Sequence, residues 1–408
     1  MDSNLQTDIL IVGGGPAGLA AAKAAASTGL SVLVLEKSLE IGYPVHTSGG
    51  SWTRELLELG IPQRFMHPIK TLEFISSNSS ASFDYEPSEI CVIDIRGVYQ
   101  YLAEQASLQG VVILTNTIAK EPVFTDGKLS GVKAVRNGKP TEYRAKLVID
   151  ASGFSSVIAR PMGLKNQALS YGNGAEYEII TPNWQQDKTA IMLGAAFSPV
   201  GYAWVFPFGE NRVRVGIGVV APKCKANPLE LLEAFINSNH AIAQKLQPYS
   251  IVEVHLGSVP NAGYIDKTYA DNLLVVGDAA GQVLGIAGEG IRLALDIGRL
   301  AGETAASALA KNDTSAAYLK RFETLWKKKY ARSISLNHTL NSIIGDFSDA
   351  KWDKVFAVLK EVDPAIVLAM MKGNFDLKLI SLVLRKNPGL LAYKTMQIIR
   401  KAIQSKLS

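Results

Sequence analysis

This chain has few cysteines, only a small excess of positive charge and no long apolar run. Its 408 residues include two cysteines, Cys91 and Cys224, which lie far apart and form no metal-ligand spacing. Cys91 belongs to the apolar run EICVIDI, so a buried thiol is favoured over a reactive one. The net charge of +5 is mild and comes without the basic stripe of a nucleic-acid-binding protein. These absences exclude a disulfide framework and predict that no nucleic acid is bound.

No apolar stretch reaches the roughly 18 to 20 residues that a membrane-spanning helix needs. The amino terminus, MDSNLQTD, is polar and leads directly into an apolar run, unlike a secretory signal. We therefore expect a cytoplasmic protein. Internal repeats and low-complexity linkers are absent as well.

Apolar residues and glycine are plentiful. The chain is 47% hydrophobic, enough for one large core or two fused ones, and its 35 glycines suit an α/β protein with many tight turns. Apolar runs at 7–13 and 31–37 predict buried parallel strands, and the alanine-rich segment between Pro16 and Thr28 predicts a helix that joins them.

The turn between the first strand and this helix reads GGGPAG and places three glycines in GxGxxG register. Gly13 allows the tight turn, Gly15 lets the backbone approach a pyrophosphate, and Gly18 lets the helix pack closely on the strand. Glu36 ends the second strand, where a carboxylate can bind the ribose hydroxyls of an adenosine. This order of elements predicts an adenine dinucleotide site, although the fingerprint alone does not separate FAD from NAD.

Further along the chain the pattern changes twice. Residues 70–95 and 171–220 alternate apolar and polar positions, as antiparallel strands do, whereas the chain beyond about residue 314 is helical. We predict an α/β fold with a Rossmann-type domain built from discontinuous segments, an inserted β-rich substrate domain and a C-terminal helical region. The predicted boundaries are 1–70, 90–165 and 260–312 for the Rossmann-type domain, 71–89 and 166–259 for the β-rich domain, and 313–408 for the helical region.

Two further motifs, VIDASG at 148–153 and NLLVVGDAAG at 272–281, resemble those of FAD-dependent oxidoreductases of the p-hydroxybenzoate hydroxylase type. The resemblance implies that FAD is the cofactor and that Asp278 hydrogen-bonds its ribityl chain. It also implies that the next helix points its N–H groups at the flavin ring, and that Arg96 lies near the cofactor; a surface arginine is the alternative. The other cofactor-binding residues predicted on this basis are Pro16, Ala17, Lys37, His46, Thr47, Ser48, Gly49, Gly153, Gly288, Gly290 and Ile291.

The segment GYAWVFPFGENRVRVGIGV at 201–219 narrows the family. Together with GDAAGQVLGIAGEGI and the helical end, it resembles the geranylgeranyl reductase family, which carries a Tyr-x-Trp-x-Phe-Pro segment before a glycine-punctuated strand. Tyr202, Trp204 and Phe206 alternate, so on a strand they share one face and form a wall suited to a long hydrocarbon. The alternative is an aromatic cluster that fills the core between domains.

One part of the family pattern is altered. Many members have a cysteine in the loop after the second strand, whereas this chain reads GYPVHTSGG. His46 is the ionisable residue that could replace it in catalysis, because imidazole exchanges protons near neutral pH. Contact with the cofactor alone is the other interpretation of His46.

The resemblance implies an FAD-dependent reductase that saturates isolated C=C bonds of polyprenyl chains. Hydride would come from flavin N5 and a proton from His46 or water. The isoprenoid substrate stays open between geranylgeranyl diphosphate, an archaeal-type prenylated lipid and a prenylquinone. Because no second nucleotide fingerprint occurs, either NADPH visits the flavin transiently or reduced ferredoxin supplies the electrons.

Two other functions remain open at this stage. The first is a flavin-dependent monooxygenase on the same fold, and the second is a flavin-containing isoprenoid carrier or sensor without turnover. A halogenase is disfavoured because YAWVFP differs from the Trp-x-Trp-x-Ile-Pro segment of that class.

The residues beyond Leu377 are basic and amphipathic and include no acidic residue. Such an end can lie on an anionic membrane surface, which predicts peripheral membrane contact. A helix packed on the domain with a solvated basic face is the alternative. The basic residues are Lys378, Arg385, Lys386, Lys394, Arg400, Lys401 and Lys406.

Overall fold

Three β-sheets organise the residues that the computed structural model describes, which are 4–165, 170–286 and 288–374. The strands are β1 (Asn4–Val12), β2 (Val32–Leu35), β3 (Gly50–Trp52), β4 (Met66–Ile69), β5 (Thr71–Ile75), β6 (Ser80–Asp84), β7 (Ile90–Ile93), β8 (Val112–Leu114), β9 (Thr117–Thr125), β10 (Lys128–Arg136), β11 (Lys139–Asp150), β12 (Tyr171–Ile180), β13 (Lys188–Leu193), β14 (Gly201–Gly209), β15 (Arg212–Ala221), β16 (Ser250–Pro260), β17 (Tyr269–Ala270) and β18 (Leu273–Val275). The α-helices are α1 (Pro16–Ala26), α2 (Thr53–Glu58), α3 (Ile95–Ser107), α4 (Pro228–Ile236), α5 (Ala241–Lys245), α6 (Ile291–Ala310), α7 (Ala316–Trp326), α8 (Arg332–Ile344), α9 (Asp349–Leu359) and α10 (Pro364–Met371).

The largest sheet is the Rossmann-type unit. Its main path runs β17-β18-β11-β1-β2-β8, and β9 and β10 extend it as an antiparallel hairpin on β11. β1 runs parallel to β2 and β11, and Val12 pairs with Leu35 on one side and Asp150 on the other. The carboxyl ends of these central strands therefore coincide where Gly13 begins the turn into α1, which is the edge where nucleotides bind in such sheets.

The second sheet has the order β16-β12-β15-β14-β13-β5-β6, and its pairs are antiparallel except for β13 with β5. Alternate residues of each strand face opposite sides. Ala175, Tyr177 and Ile179 of β12 pack into an apolar core with α4, whereas Gly174 and Glu176 face a cavity on the other side. This face, called the inner face below, is where the substrate residues were predicted.

The sheets divide the chain much as the sequence pattern does. The second sheet takes β5 and β6 from the predicted segment 71–89 and β12–β16 from the neighbourhood of 166–259. A small third sheet of order β3-β7-β4 contacts β14 of the second sheet. The domain boundaries themselves stay a prediction. The predicted α/β fold class is confirmed.

Two glycines of α6 bring that helix into backbone contact with α1. A Cβ on Gly298 would lie 2.3 Å from the carbonyl oxygen of Ala17, and one on Gly302 would lie 2.2 Å from that of Ala21. Alanine and glycine along both helices leave so little volume between them that the two axes approach closely. Both helices begin beside the same cavity, since residues at the start of each line it.

Helices α9 and α10 pack against strands of the second sheet and of the small sheet. Trp352, Phe356 and Val367 pack with residues of β5, β6 and β7 in one apolar cluster. None of the described helices is long and apolar enough to cross a membrane. The basic tail, 378–406, lies outside the described residues.

Candidate functional site

A cavity of about 780 Å³ lies between the carboxyl edge of the Rossmann-type sheet, the inner face of the second sheet and the helices that follow α7. Its volume is in the range of small-molecule and cofactor sites. The lining comes from residues as far apart in sequence as Gly15 and Met371.

At one end the GGGPAG turn has the geometry of an anion cradle. Gly13 has a φ of +112°, and a Cβ on Gly18 would lie 2.0 Å from the Gly13 carbonyl oxygen, so both positions require glycine. A Cβ on Gly15 would instead point into open space. Among the described residues, no side chain caps the start of α1, where Pro16 occupies the first turn, so the N–H groups there can bind a phosphate.

Glu36 lies just behind this cradle. One of its carboxylate oxygens accepts a hydrogen bond from the Gly14 N–H at 2.7 Å, and the other accepts from the Ser38 N–H at 2.8 Å. Each oxygen keeps a second lone pair, so the carboxylate can still accept from ribose hydroxyls.

Asp278 and the start of α6 form a neighbouring part of the cavity edge. Asp278 lies in a short 3₁₀ turn, Gly277–Ala280, and burial raises the pKa of its carboxyl to about 6. Gly288 has a φ of +62°, and Gly290 begins α6 without a side-chain cap. Asp278, Gly290 and Ile291 all line the cavity.

These observations fit FAD. One cavity contains two uncapped helix starts and, between them, a carboxylate that burial leaves short of partners. The start of α1 would hold the pyrophosphate, Asp278 the ribityl chain, and the start of α6 the flavin ring.

The loop with the altered family pattern runs beside the cavity, which Thr47, Ser48 and Gly49 all line. Arg214 on β15 holds it in place: its guanidinium donates to the carbonyl oxygens of Ser48 and Ile93, each at 3.0 Å. Sequence reasoning missed this arginine, although its position on the inner face of a glycine-punctuated strand was a usable signal.

His46 also lines the cavity, but its ring is turned toward β16. Nδ1 lies 2.8 Å from the carbonyl oxygen of Leu256. Because a carbonyl can only accept, Nδ1 carries the hydrogen of this bond. A catalytic role for His46 stays a prediction.

The predicted aromatic wall lies on the inner face. Trp204 is flanked by Tyr202 and Phe206, with ring centroids 5.6 and 6.3 Å away, and all three residues line the cavity. The Tyr202 hydroxyl is 3.0 Å from where a Cβ of Gly288 would be, so the wall reaches the start of α6. Burial, with a smaller effect of Glu176, raises the pKa of Tyr202 to about 12.

The strand register explains why β15 has a glycine at position 216. Trp204, Gly216, Glu176 and His255 stand opposite one another on four neighbouring strands. The indole lies across Gly216, where a Cβ would come within 2.2 Å of it, and its Nε1 donates to Glu176 at 2.6 Å. The glycine is thus needed to let tryptophan cross the strand.

Behind the indole, the hydrogen bonds continue through three ionisable side chains. Glu176 lies 2.8 Å from His255 Nδ1, and His255 Nε2 lies 2.9 Å from Glu253. Sequence reasoning missed all three. The available signal was the polar residues at alternate positions of AEYEII and VEVHLG, which place charge on an inner sheet face.

The end of the cavity away from the glycine turn is apolar. Phe356 of α9 lies between Trp352 and Phe74, with ring centroids 5.7 and 5.9 Å away. Met370 and Met371 of α10 line the same cavity. A flexible thioether and aromatic rings suit a hydrocarbon chain.

Comparison with known proteins agrees with this geometry. The family model for FAD dependent oxidoreductases matches residues 8–162, and that for the geranylgeranyl reductase catalytic domain matches residues 171–259. The chain is 31% identical to digeranylgeranylglycerophospholipid reductase 2 of Methanopyrus kandleri over 401 residues, which cover 95% of this chain and 98% of the relative.

The chain belongs to the geranylgeranyl reductase family.

A second relative is the digeranylgeranylglycerophospholipid reductase of Methanocaldococcus jannaschii, 34% identical over 95% of this chain and 97% of its own length. A crystal structure of a geranylgeranyl bacteriochlorophyll reductase-like protein from Thermoplasma acidophilum superposes with a TM-score of 0.85 at 28% identity, covering 94% of this chain and 97% of that one. The predicted family, the flavin cofactor and the enzyme class are confirmed: the protein is an FAD-dependent oxidoreductase. The electron donor stays a prediction.

The structure does not bring every predicted residue to the cavity. Gly13 and Gly18 lie behind the turn, where they allow its packing, and Lys37 is exposed. Arg96 is also exposed and pairs with Glu40 through its Nε. The cofactor roles of Lys37 and Arg96 stay predictions. The predicted residues that do line the cavity are Gly15, Pro16, Ala17, His46, Thr47, Ser48, Gly49, Gly153, Tyr202, Trp204, Phe206, Asp278, Gly288, Gly290 and Ile291.

Proposed function

We propose that this protein saturates isolated C=C bonds in geranylgeranyl chains carried by a glycerophospholipid. The observation that carries the proposal is a continuous cavity with a cofactor end at Asp278 and an apolar end at Phe356. The aromatic wall at Trp204 lies between them. Relatives named digeranylgeranylglycerophospholipid reductases support the choice of lipid.

Different residues of the cavity would contribute to different parts of such a reaction. Bound FAD, once reduced, supplies a hydride. The chain's own part is to align an unactivated alkene and to keep water away, and both lower the barrier for a poor hydride acceptor. Tyr202, Trp204 and Phe206 offer flat surfaces for alignment, and the apolar end accepts the rest of the chain.

The decisive experiment uses the enzyme reduced without oxygen. We expect a digeranylgeranylglycerophospholipid to reoxidise the flavin, and mass spectrometry to find two added hydrogens for each bond reduced. A hydroxylated product formed only in air would support a monooxygenase instead. Binding of the lipid without reoxidation would support a carrier or sensor.

The same assay decides the electron donor. NADPH and reduced ferredoxin are both proposed, because the sequence has one dinucleotide fingerprint and a donor must therefore reach the flavin transiently. Anaerobic bleaching of the flavin spectrum by one donor and not by the other identifies it.

Peripheral membrane contact is part of the proposal. The substrate partitions into membranes, and each basic residue of 378–406 near an anionic surface would contribute about 1 kcal/mol. The protein should float with vesicles that contain anionic phospholipid at low salt and be released at high salt. Equal flotation with neutral vesicles would contradict an electrostatic contact.

A further inference from the structure

A buried set of ionisable side chains connects the cavity with the protein surface. Glu176 and His255 are 3% and 4% exposed and both line the cavity, whereas the side chain of Glu253 is 38% exposed. Hydrogen bonds of 2.8 and 2.9 Å join the three in that order. We call them the Glu176–His255–Glu253 relay.

Within this relay, the two neighbouring carboxylates favour the protonated form of His255. Glu178 on β12 faces His255 but is occupied by Arg212 and by Arg214, whose Nε lies 3.1 Å from its carboxylate. Burial and, to a smaller extent, Arg214 oppose a charged His255, but the hydrogen bonds that the imidazole donates to Glu176 and Glu253 outweigh them and raise its pKa. The imidazole can therefore carry two protons, each directed at a carboxylate.

We propose that Glu176 and His255 form the proton-donating pair of the alkene reduction and that Glu253 refills the pair from solvent. The inference rests on the proposed function, since adding hydride to one alkene carbon requires a proton at the other. The pair meets the cavity beside Trp204, in the row of residues that forms the aromatic wall.

The step balances without any further reactant. In the starting state Glu176 is a carboxylate and His255 carries a proton on each ring nitrogen. Glu176 takes the proton of His255 Nδ1 and releases it to the alkene, whose π electrons form one C–H bond with it, while the hydride from the reduced cofactor forms the other. His255 is then neutral, with its proton on Nε2. After the ring changes tautomer and holds that proton on Nδ1, the bare Nε2 accepts a proton that Glu253 takes from water, and the three side chains return to their starting state.

Glu176→Gln separates proton donation from packing. The amide oxygen can still accept from Trp204, but the side chain has no proton to release. We expect reoxidation of the reduced enzyme by the lipid to slow by about 100-fold or more, as general acids contribute. FAD binding, chemical reduction and reoxidation by air should be unchanged. Glu233→Gln is the matched control, because Glu233 accepts from Tyr177 on the opposite side of the same sheet.

Glu253→Gln tests the solvent end with a partly exposed residue. The first turnover should keep its rate, since the pair already holds its proton, and later turnovers should slow several-fold. Unchanged multiple turnover would overturn the solvent route.

A spectroscopic readout is independent of turnover. In histidine NMR spectra of the oxidised protein, His255 should titrate above the ordinary range, and Glu176→Gln should return it toward that range. Wild-type rates and an unchanged pH profile in Glu176→Gln would overturn the proton-donating pair while leaving the proposed function intact. A wild-type enzyme that the lipid fails to reoxidise would overturn both.

Discussion

Asp278, which is proposed to bind the ribityl chain of FAD, should lower the stability of the protein when no cofactor is bound. Burial raises the pKa of its carboxyl to about 6, against an ordinary value of about 3.9. Because the folded state then binds this proton more tightly than the unfolded state, stability is full below about pH 4 and is lost as the pH rises through about 6. The loss is at most about 3 kcal/mol.

We therefore expect Asp278→Asn to raise the Tm of the FAD-free protein at pH 8 and to have a shrinking effect as the pH falls toward 4.5. FAD affinity should fall about tenfold, since the variant loses a charged hydrogen-bond acceptor. Calorimetry and flavin titration measure the two effects. Asp126→Asn, in an exposed turn, should change neither. A variant that is less stable at pH 8 would contradict this account.

The contributions of His255 and His240 to the stability of the protein should change with pH in opposite directions. The raised pKa of His255 means that its contribution is full below about pH 6.5 and is lost as the pH rises through the folded value. Burial lowers the pKa of His240, so its contribution is present above about pH 6.5 and is lost on acidification. In urea unfolding, the loss caused by His255→Gln should shrink from pH 6 to pH 9, and that caused by His240→Gln should grow. Parallel trends would rule out this assignment.

At the scale of elements, local spacing was predictable and strand register was not. The turn from Gly13 to Gly18 and the carboxylate of Asp278 could be located because each belongs to a short motif with fixed spacing. Alternation predicted the strands that carry Trp204. It could not show that Glu176 stands opposite His255, because that pairing joins strands 79 residues apart along the chain. The polar half of the site was missed for this reason.

The contact between α1 and α6 was equally invisible in sequence, and it can be tested. Gly298→Ala improves helix propensity by about 1 kcal/mol, but its Cβ would lie 2.3 Å from the Ala17 carbonyl oxygen. Overpacking of this kind costs about 1–3 kcal/mol, so we expect a net loss. Since α1 carries the phosphate cradle, FAD affinity should fall as well.

Urea unfolding and flavin titration check both effects. Glu303→Ala, on the exposed side of the same helix, should cost no more than about 0.5 kcal/mol through its pair with Arg299. A Gly298→Ala protein as stable as the wild type would show that the two helices can separate without cost.

At the scale of the whole molecule, the cavity is lined by segments from both ends of the described chain, from Gly15 to Met371. The sequence predicted a helical region after residue 313, but nothing in its periodicity showed that Trp352 and Met370 would line the site. Such contacts depend on how helices dock, and docking follows from the shape of the whole surface. Lys372, just after α10, is one of the polar residues that hold these helices in place, and Asp349 and Asp353 of α9 are others.

The side chain of Lys372 is 12% exposed, and its Nζ lies 2.8 Å from Glu55 and 3.2 Å from Glu89 on the other side of the site. Lys372→Met leaves two half-buried carboxylates without their cation, so we expect a loss of about 1–3 kcal/mol in urea unfolding. Because α9 and α10 close the apolar end, the KM for the lipid should rise while FAD affinity stays near wild type. Lys70→Met, which breaks an exposed pair with Glu86, should change neither value by much. If both variants behaved alike, Lys372 would not contribute to the closure of the cavity.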